Sequence, residues 1–171
     1  FATQEDVFAV MEGLLTKVLK DTLNYDITTP FTHITFDESM ERFGTDKPDL
    51  RNPLVIEELT DILSKMDFAP FKDTTIRGIK VDVIEKSNAW FKSMEEYVKS
   101  IGGNLGYIKV NEDMTFKSSL DKFMTDEIRT ELKERLSLKP GNVIFIVADK
   151  EKCAKLLGQV RIKLGNELDL I

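Results

Sequence analysis

The sequence holds one cysteine and one histidine, and that scarcity excludes most familiar site chemistry. Cys153 has no partner for an internal disulfide, so nothing asks for an oxidising compartment and the cytoplasm is the expected setting. On the apolar face of its helix it reads as a small core residue, not a nucleophile. His33 has no second histidine, no nearby cysteine and no spaced carboxylate pair, so neither a metal centre nor a catalytic triad can be assembled around it. There is no P-loop and no dinucleotide-binding glycine pattern, and Gly102-Gly103-Asn104 reads as a helix stop instead of a phosphate cradle. Carboxylates are abundant but scattered. No catalytic, cofactor-binding or metal-binding residue is therefore assigned. No apolar run is long enough to span a bilayer, and Phe1 to Asp6 has neither the basic start nor the hydrophobic centre of a signal peptide, so no membrane partner is expected. Positive charge is in deficit too: 24 Lys and Arg against 30 Asp and Glu leave a net charge of −6, so any grip on nucleic acid must be local. An initiator methionine is lacking as well, and a chain opening on Phe1 and closing on Leu170-Ile171 is expected to be cut from a longer polypeptide.

What is present is ordinary for a soluble globular protein: 171 residues, 42% hydrophobic and 32% charged, enough for one domain or two small ones. A first helix is expected from Gln4 to Lys20, capped by Thr3, with Val7, Phe8, Met11, Leu14, Leu15, Val18 and Leu19 on one face. Too few strands follow to cover that stripe, so it is expected to be partly uncovered or used in a contact. Asn24 to Thr32, with Pro30, reads as loop, and His33-Ile34-Thr35 as a short extended piece. Thr35 and Glu38 have capping-box spacing, which starts a helix near Phe36, and Gly44 supplies the left-handed residue that ends it. Pro48 cannot continue a helix, and Asp46 and Asp49 can each bond the backbone just ahead. The stretch from Glu41 to Arg51 is thus a rigid, charged turn.

After Pro53, Leu54-Val55-Ile56 reads as a short strand and Glu57 to Lys65 as a short helix. Phe68 to Phe71 and Ile76 to Val81 read as a hairpin across the polar loop 72–75, with Pro70 on an edge strand. A clear helix follows, capped by Ser87 and stopped at Gly102-Gly103; its stripe of Trp90, Phe91, Met94, Tyr97, Val98 and Ile101 reads as core packed on a sheet. Leu105 to Val110 is a strand, 117–138 is helical with a cap at Thr125, and Val143 to Val147 is a buried strand. Asp149 caps a closing helix with the face Cys153, Leu156, Leu157, Val160 and Leu164 and with Gly165 as its stop. The other side carries Lys150, Lys152, Lys155, Arg161 and Lys163 and is a candidate for RNA contact, but Glu151 and Glu167 dilute it and a solvated face is the better reading. The fold class that results is α+β: two strands, a helix, two strands and a helix, with a helical insertion between the third and fourth strands. Two helices on one face of an antiparallel sheet make a two-layer domain, preceded by a mainly helical strip.

The string ERFGTDKPDLR at 41–51 closely resembles the segment of bacterial-type aspartyl-tRNA synthetases that follows the second signature motif of class II synthetases and leads into their inserted domain. The opening FATQEDVFAVMEGLL, GYIKV at 106–110, KPGNVIFIVADK at 139–150 and LGQVRIKLGNELDL near the end resemble the same family. The resemblance implies that residues 1–64 are part of a class II catalytic domain plus a hinge, and that 65–171 are the inserted domain, a module shared with the B subunit of the tRNA-dependent amidotransferase. It implies a parent aspartate-tRNA ligase that uses ATP and Mg²⁺, joins aspartate to its tRNA, and works as a homodimer through a first motif that lies outside this chain. The arginines that hold ATP and the aspartate-selecting residues also fall outside, so the fragment is expected to be inactive alone. Asp46, Lys47 and Arg51, where the insert leaves the catalytic body, are the candidates for orienting the insert or for facing tRNA. The alternative is a free-standing RNA-binding or protein-docking module of the same fold. Whether the parent charges aspartate tRNA alone or asparagine tRNA also is associated with the anticodon-binding part, which lies elsewhere.

Overall fold

The computed structural model describes residues 1–82 and 85–171, in two compact units, Phe1–Thr35 and Phe36–Ile171. In the first, helix α1 (Gln4–Leu23) starts from a capping box: the Asp6 N–H donates to Thr3 Oγ1 at 3.3 Å and the Thr3 N–H to Asp6 Oδ2 at 2.8 Å. It runs past the expected end at Lys20 and stops at Asn24, which adopts the left-handed conformation with φ 50°. No residue of α1 is buried, and Met11, Leu14 and Val18 remain about half exposed. The expected apolar stripe is therefore an open face. Residues 31–35 form no strand, and His33 rests its ring on Phe8 at 4.5 Å.

The second unit is built around β5 (Val143–Ala148), whose first five residues are all buried. A run with no polar alternation needs an apolar surface on both sides, and it has one. β5 pairs antiparallel with β2 (Ile76–Val81) on one side and with β3 (Leu105–Val110) on the other. β1 (Ile56–Glu58) extends the sheet beyond β2, and β4 (Phe116–Lys117) extends it beyond β3, giving a five-stranded antiparallel sheet in the order β1-β2-β5-β3-β4. On one face Ile76, Ile108, Ile144 and Ile146 join Leu59, Ile62 and Leu63 around helix α3 (Thr60–Leu63) and Ile128 and Leu132 of α5 (Asp126–Arg135). On the other, Ile79, Val81, Phe145 and Val147 join Phe91, Met94 and Val98 of α4 (Asn88–Ser100) and Leu156, Leu157 and Val160 of α6 (Cys153–Glu167). Helix α2 (Phe36–Phe43) lies against α6.

The class is α+β, as the sequence indicated, but several elements differ from expectation. The sheet is covered on both faces instead of one, because β5 cannot leave either side to water. Phe68 to Phe71 is not a strand: Ala69–Phe71 forms a 3₁₀ turn with Pro70 near its start. Proline suits the first turn of a helix, where its missing N–H has no partner to lose. Phe68 and Phe71, three residues apart, come onto one side of that turn with ring centroids 5.0 Å apart, and Phe71 is buried. The hairpin partner of β2 is therefore β1, which lies earlier in the chain. The expected helical span 117–138 holds a 3₁₀ turn (Asp121–Phe123) and α5, still capped by Thr125, whose Oγ1 accepts from the Ile128 N–H at 3.3 Å. Asp149 caps a turn ahead of α6, accepting from the Glu151 and Lys152 N–H groups at 2.9 and 2.6 Å. Gly165 does not stop α6; it is buried inside a helix that continues to Glu167.

Candidate functional site at the connector and the last helix

The charged turn is seated on α6 by a stripe of small residues. Ala154, Gly158, Arg161 and Gly165 follow one another at helical spacing i, i+4, i+7, i+11 and so share one side of the helix. Gly44 ends α2 with φ +70°, and it approaches so closely that a Cβ there would stand 2.1 Å from the Ala154 carbonyl oxygen. A Cβ on Gly158 would in turn meet the Gly44 oxygen at 2.8 Å. Two backbones are in contact, which only glycine permits on both sides. Ser39, buried in α2, fixes the turn further by donating its hydroxyl to the Thr45 carbonyl at 2.7 Å.

One step along the stripe, Arg161 is 1% exposed. Its Nε donates to the Leu54 carbonyl at 2.6 Å, and Nη2 donates to the carbonyls of Asn52 at 2.7 Å and Asp49 at 3.0 Å. The guanidinium carbon stands 4.8 Å from the centre of the Phe43 ring. Asn52, also buried, answers from the other side: Nδ2 donates to the Arg161 carbonyl at 2.9 Å, and Oδ1 accepts from the Leu54 N–H at 3.0 Å. Gly165 leaves the space for it, since a Cβ there would fall 2.4 Å from Asn52 Nδ2. Burial pushes the Arg161 pKa down and the nearby Asp49 opposes the shift; a guanidinium titrates too high to lose its proton for that. A buried cation is thus held by carbonyls of the connector, and 49–54 is fixed to α6 at both ends.

The sequence placed Arg161 on a solvated basic face, and the structure corrects this. A signal was available. Arg161 is flanked by Gly158 and Gly165 at helical spacing and by Leu157 and Leu164, so it lies inside the apolar arc. Asn52 carried no comparable signal.

The three residues singled out on the turn do not form one cluster. Arg51 is paired to Asp49, with Nε 3.0 Å from Oδ1 and Nη2 2.6 Å from Oδ2, and Asp49 Oδ1 also accepts the Arg51 N–H at 3.0 Å. That is the turn expected of Asp49, and the Arg51 side chain holds the Asp49 carboxyl down at about 2. At Asp46 the equivalent bond is made by Thr45, whose Oγ1 accepts from the Lys47 N–H at 3.3 Å. Asp46 and Lys47 are exposed, and neither has an ion pair among the described residues. Asp46 instead edges an open groove of about 610 Å³ with Phe36, Met40, Ile101, Lys152 and Lys155. Of the other lysines on the supposed basic face, Lys163 is paired with Glu167, which also accepts from Trp90 Nε1 at 2.6 Å.

Cys153 is buried, donates its thiol to the Val147 carbonyl at 3.1 Å and is pushed up to about 11 by burial. Among the described residues, no three His, Cys, Asp or Glu side chains converge to hold a metal. The aromatic stripe of α4 faces the sheet, with Phe91 and Met94 fully buried. No helix of the described residues is long and apolar enough to cross a membrane.

The GAD domain family profile matches residues 71–157. Over its whole length the chain is 40% identical to the aspartate-tRNA(Asp/Asn) ligases of Orientia tsutsugamushi (strain Boryong) and of Wolbachia sp. subsp. Brugia malayi (strain TRS), and 39% identical to that of Rickettsia felis. It spans 30% of the length of each of these relatives.

Proposed function

This chain belongs to the GAD domain family, and we propose that it is an internal, non-catalytic part of an aspartate-tRNA ligase, in which it orients the inserted domain through a connector fixed to α6. In this reading residues 1–64 are a strip of class II catalytic domain with its hinge, and 65–171 are the inserted domain. The identity to the ligases runs through the residues ahead of the GAD match as well as through the match itself, which favours this assignment over a free-standing docking module. ATP and Mg²⁺, the aspartate pocket and the dimer contact are assigned to the part of the ligase outside this chain, which is 30% of the length of its relatives. tRNA is the macromolecular partner of the whole ligase, and its compartment is the cytoplasm.

The observation that carries the orienting role is the pair of buried polar side chains, Arg161 and Asn52, spent entirely on the backbone of 49–54. Within the turn, Arg51 is already engaged by Asp49, which leaves it poorly placed to neutralise a phosphate. Asp49 and Arg51 therefore belong to the orienting role, and Lys47 is the turn residue with a cation free to face tRNA. The test is aminoacylation by the full-length polypeptide that contains this chain. Aspartate should be charged onto tRNA by the full-length protein, and the 171-residue chain alone should neither exchange pyrophosphate into ATP nor charge tRNA. A full-length protein that charges no aspartate would overturn the reading.

A further inference from the structure

Away from the connector, the β3–β4 pair places two lysines directly opposite each other, Lys109 facing Lys117 in antiparallel register. Side chains at such positions stand on the same face with Cβ atoms about 5 Å apart, and like charges there destabilise the sheet. Among the described residues neither lysine has a carboxylate partner within ion-pair distance. Lys109 is held in place regardless: its ammonium lies 3.7 Å from the centre of the buried Phe91 ring and 5.6 Å from that of Tyr107, and it donates to Asn88 Oδ1 at 3.4 Å. One long hydrogen bond leaves most of the donor capacity of an ammonium unused. Partial burial, and then the charge of Lys117, push its pKa down. Both lysines line a cleft of about 430 Å³ between the start of α4 and the β3–β4 hairpin, with Asn88, Tyr107 and Ser119 adding polar groups.

An anion between two such ammonium groups turns their repulsion into two attractions. The cleft offers point charges on lysines and no run of glycine amides, so it lacks the cradle that a terminal triphosphate requires. Glu95 stands on its wall and disfavours a highly charged ligand. A single phosphodiester satisfies both conditions. We propose that Lys109 and Lys117 form a phosphodiester-binding pair through which this domain holds the backbone of tRNA. The proposal rests on the ligase reading for the identity of the RNA. It also explains why a net-negative chain keeps two adjacent cations unpaired: they lower stability in the free protein and are compensated when RNA is bound.

The experiment is fluorescence anisotropy of labelled aspartate tRNA with the 171-residue chain over a salt series, comparing wild type with Lys109→Met and Lys117→Met. Methionine keeps most of the hydrocarbon stem and removes the ammonium, with its contact to the Phe91 ring and its bond to Asn88 in the case of Lys109. Each variant should weaken binding about five- to ten-fold near 0.1 M salt and reduce the slope of log K against log salt by about one. Glu95→Gln should tighten binding. Thermal melting supplies the readout a purely structural lysine would not give, because Lys117→Met should melt no lower than wild type once the like-charge contact is relieved. Wild-type affinity and slope in both lysine variants would overturn the proposal while leaving the ligase reading intact, more so if binding is lost in Lys152→Met or Lys155→Met. Absence of tRNA binding by the wild-type chain at low salt would also overturn it, and aspartate charging by the full-length protein would then judge the ligase reading separately.

Discussion

Replacing Arg161 by methionine removes the guanidinium while filling much of its volume, so the change isolates the polar role. Three bonds disappear, to the carbonyls of Leu54, Asn52 and Asp49, together with the contact over the Phe43 ring. Removing a buried ion pair can be harmless when both partners are replaced by apolar groups. Here the partners are backbone carbonyls, which no side-chain substitution can delete. Each hydrogen bond to a charged group contributes about 1.5–3 kcal/mol, and a stranded buried acceptor costs about 1–3 kcal/mol. The bonds share one network and do not add, so the expected loss is about 3–5 kcal/mol for Arg161→Met and roughly 2 kcal/mol for Asn52→Ala. The double variant should cost clearly less than the sum, since either change alone already frees the connector. The assay is urea unfolding of the 171-residue chain followed by Trp90 fluorescence. Trp90 is the only tryptophan, and its indole bonds Glu167 on α6 and packs edge-on against Phe91, so the signal reports on the second unit alone. A loss below about 1 kcal/mol for Arg161→Met, with an unchanged denaturant slope, would refute the reasoning.

Gly158→Ala should destabilise by about 1–3 kcal/mol and shift α2, because its methyl meets the Gly44 backbone instead of a flexible side chain; the same unfolding titration checks it. At Gly102, where φ is +86° and space is open, alanine should act through backbone strain alone and leave the packing of α2 unchanged. Asp49 contributes stability that is complete above its unfolded pKa and is lost as pH falls from about 4 towards its folded value of about 2. Asp49→Asn should therefore flatten the acid limb of a pH–melting profile below about pH 4, and an unchanged limb would count against the pairing with Arg51. Cys153 should resist a disulfide reagent at pH 8 in the folded chain and react rapidly in urea, as expected of a thiol raised to about 11 and bonded to a carbonyl.

The elements legible in the sequence were those whose signals are local. Thr3, Ser87 and Thr125 each accept an amide of the first turn of their helices, and Gly44 takes the left-handed turn, because caps and stops depend on a few neighbouring residues. What was lost depended on partners far along the chain. Whether 68–71 would extend or curl was decided by what Phe68 and Phe71 could reach, and Phe123, whose ring centre is 4.9 Å from that of Phe68, arrives some fifty residues later. The uninterrupted run Val143 to Val147 already demanded cover on both faces. That demand excludes a sheet with helices on one side only.

The same distinction governs the candidate site. A basic residue on a helix is legible as charge, but its use is set by the surface opposite. Lys163, Arg161 and Lys155 occupy one helix, yet the first is bound to Glu167, the second is buried under the connector and the third faces water. With Lys150 and Lys152 also exposed, the solvated-face reading holds for three of the five cations named on that side. The cations that remain available to a polyanion are those the fold leaves without a carboxylate, and with a net charge of −6 such cations are conspicuous. Two groups of them line a cleft: Lys152 and Lys155 stand at the groove beside Asp46, next to an acid, and Lys109 and Lys117 face each other at the β3–β4 hairpin. Only in the second are two positive charges opposed by the strand register itself. Side-chain rotation can separate them in part, but the ring of Phe91 fixes one of the two, so the repulsion persists until an anion enters. Under the proposed function, that asymmetry favours the hairpin over the connector as the point of RNA contact and assigns the connector the orienting role.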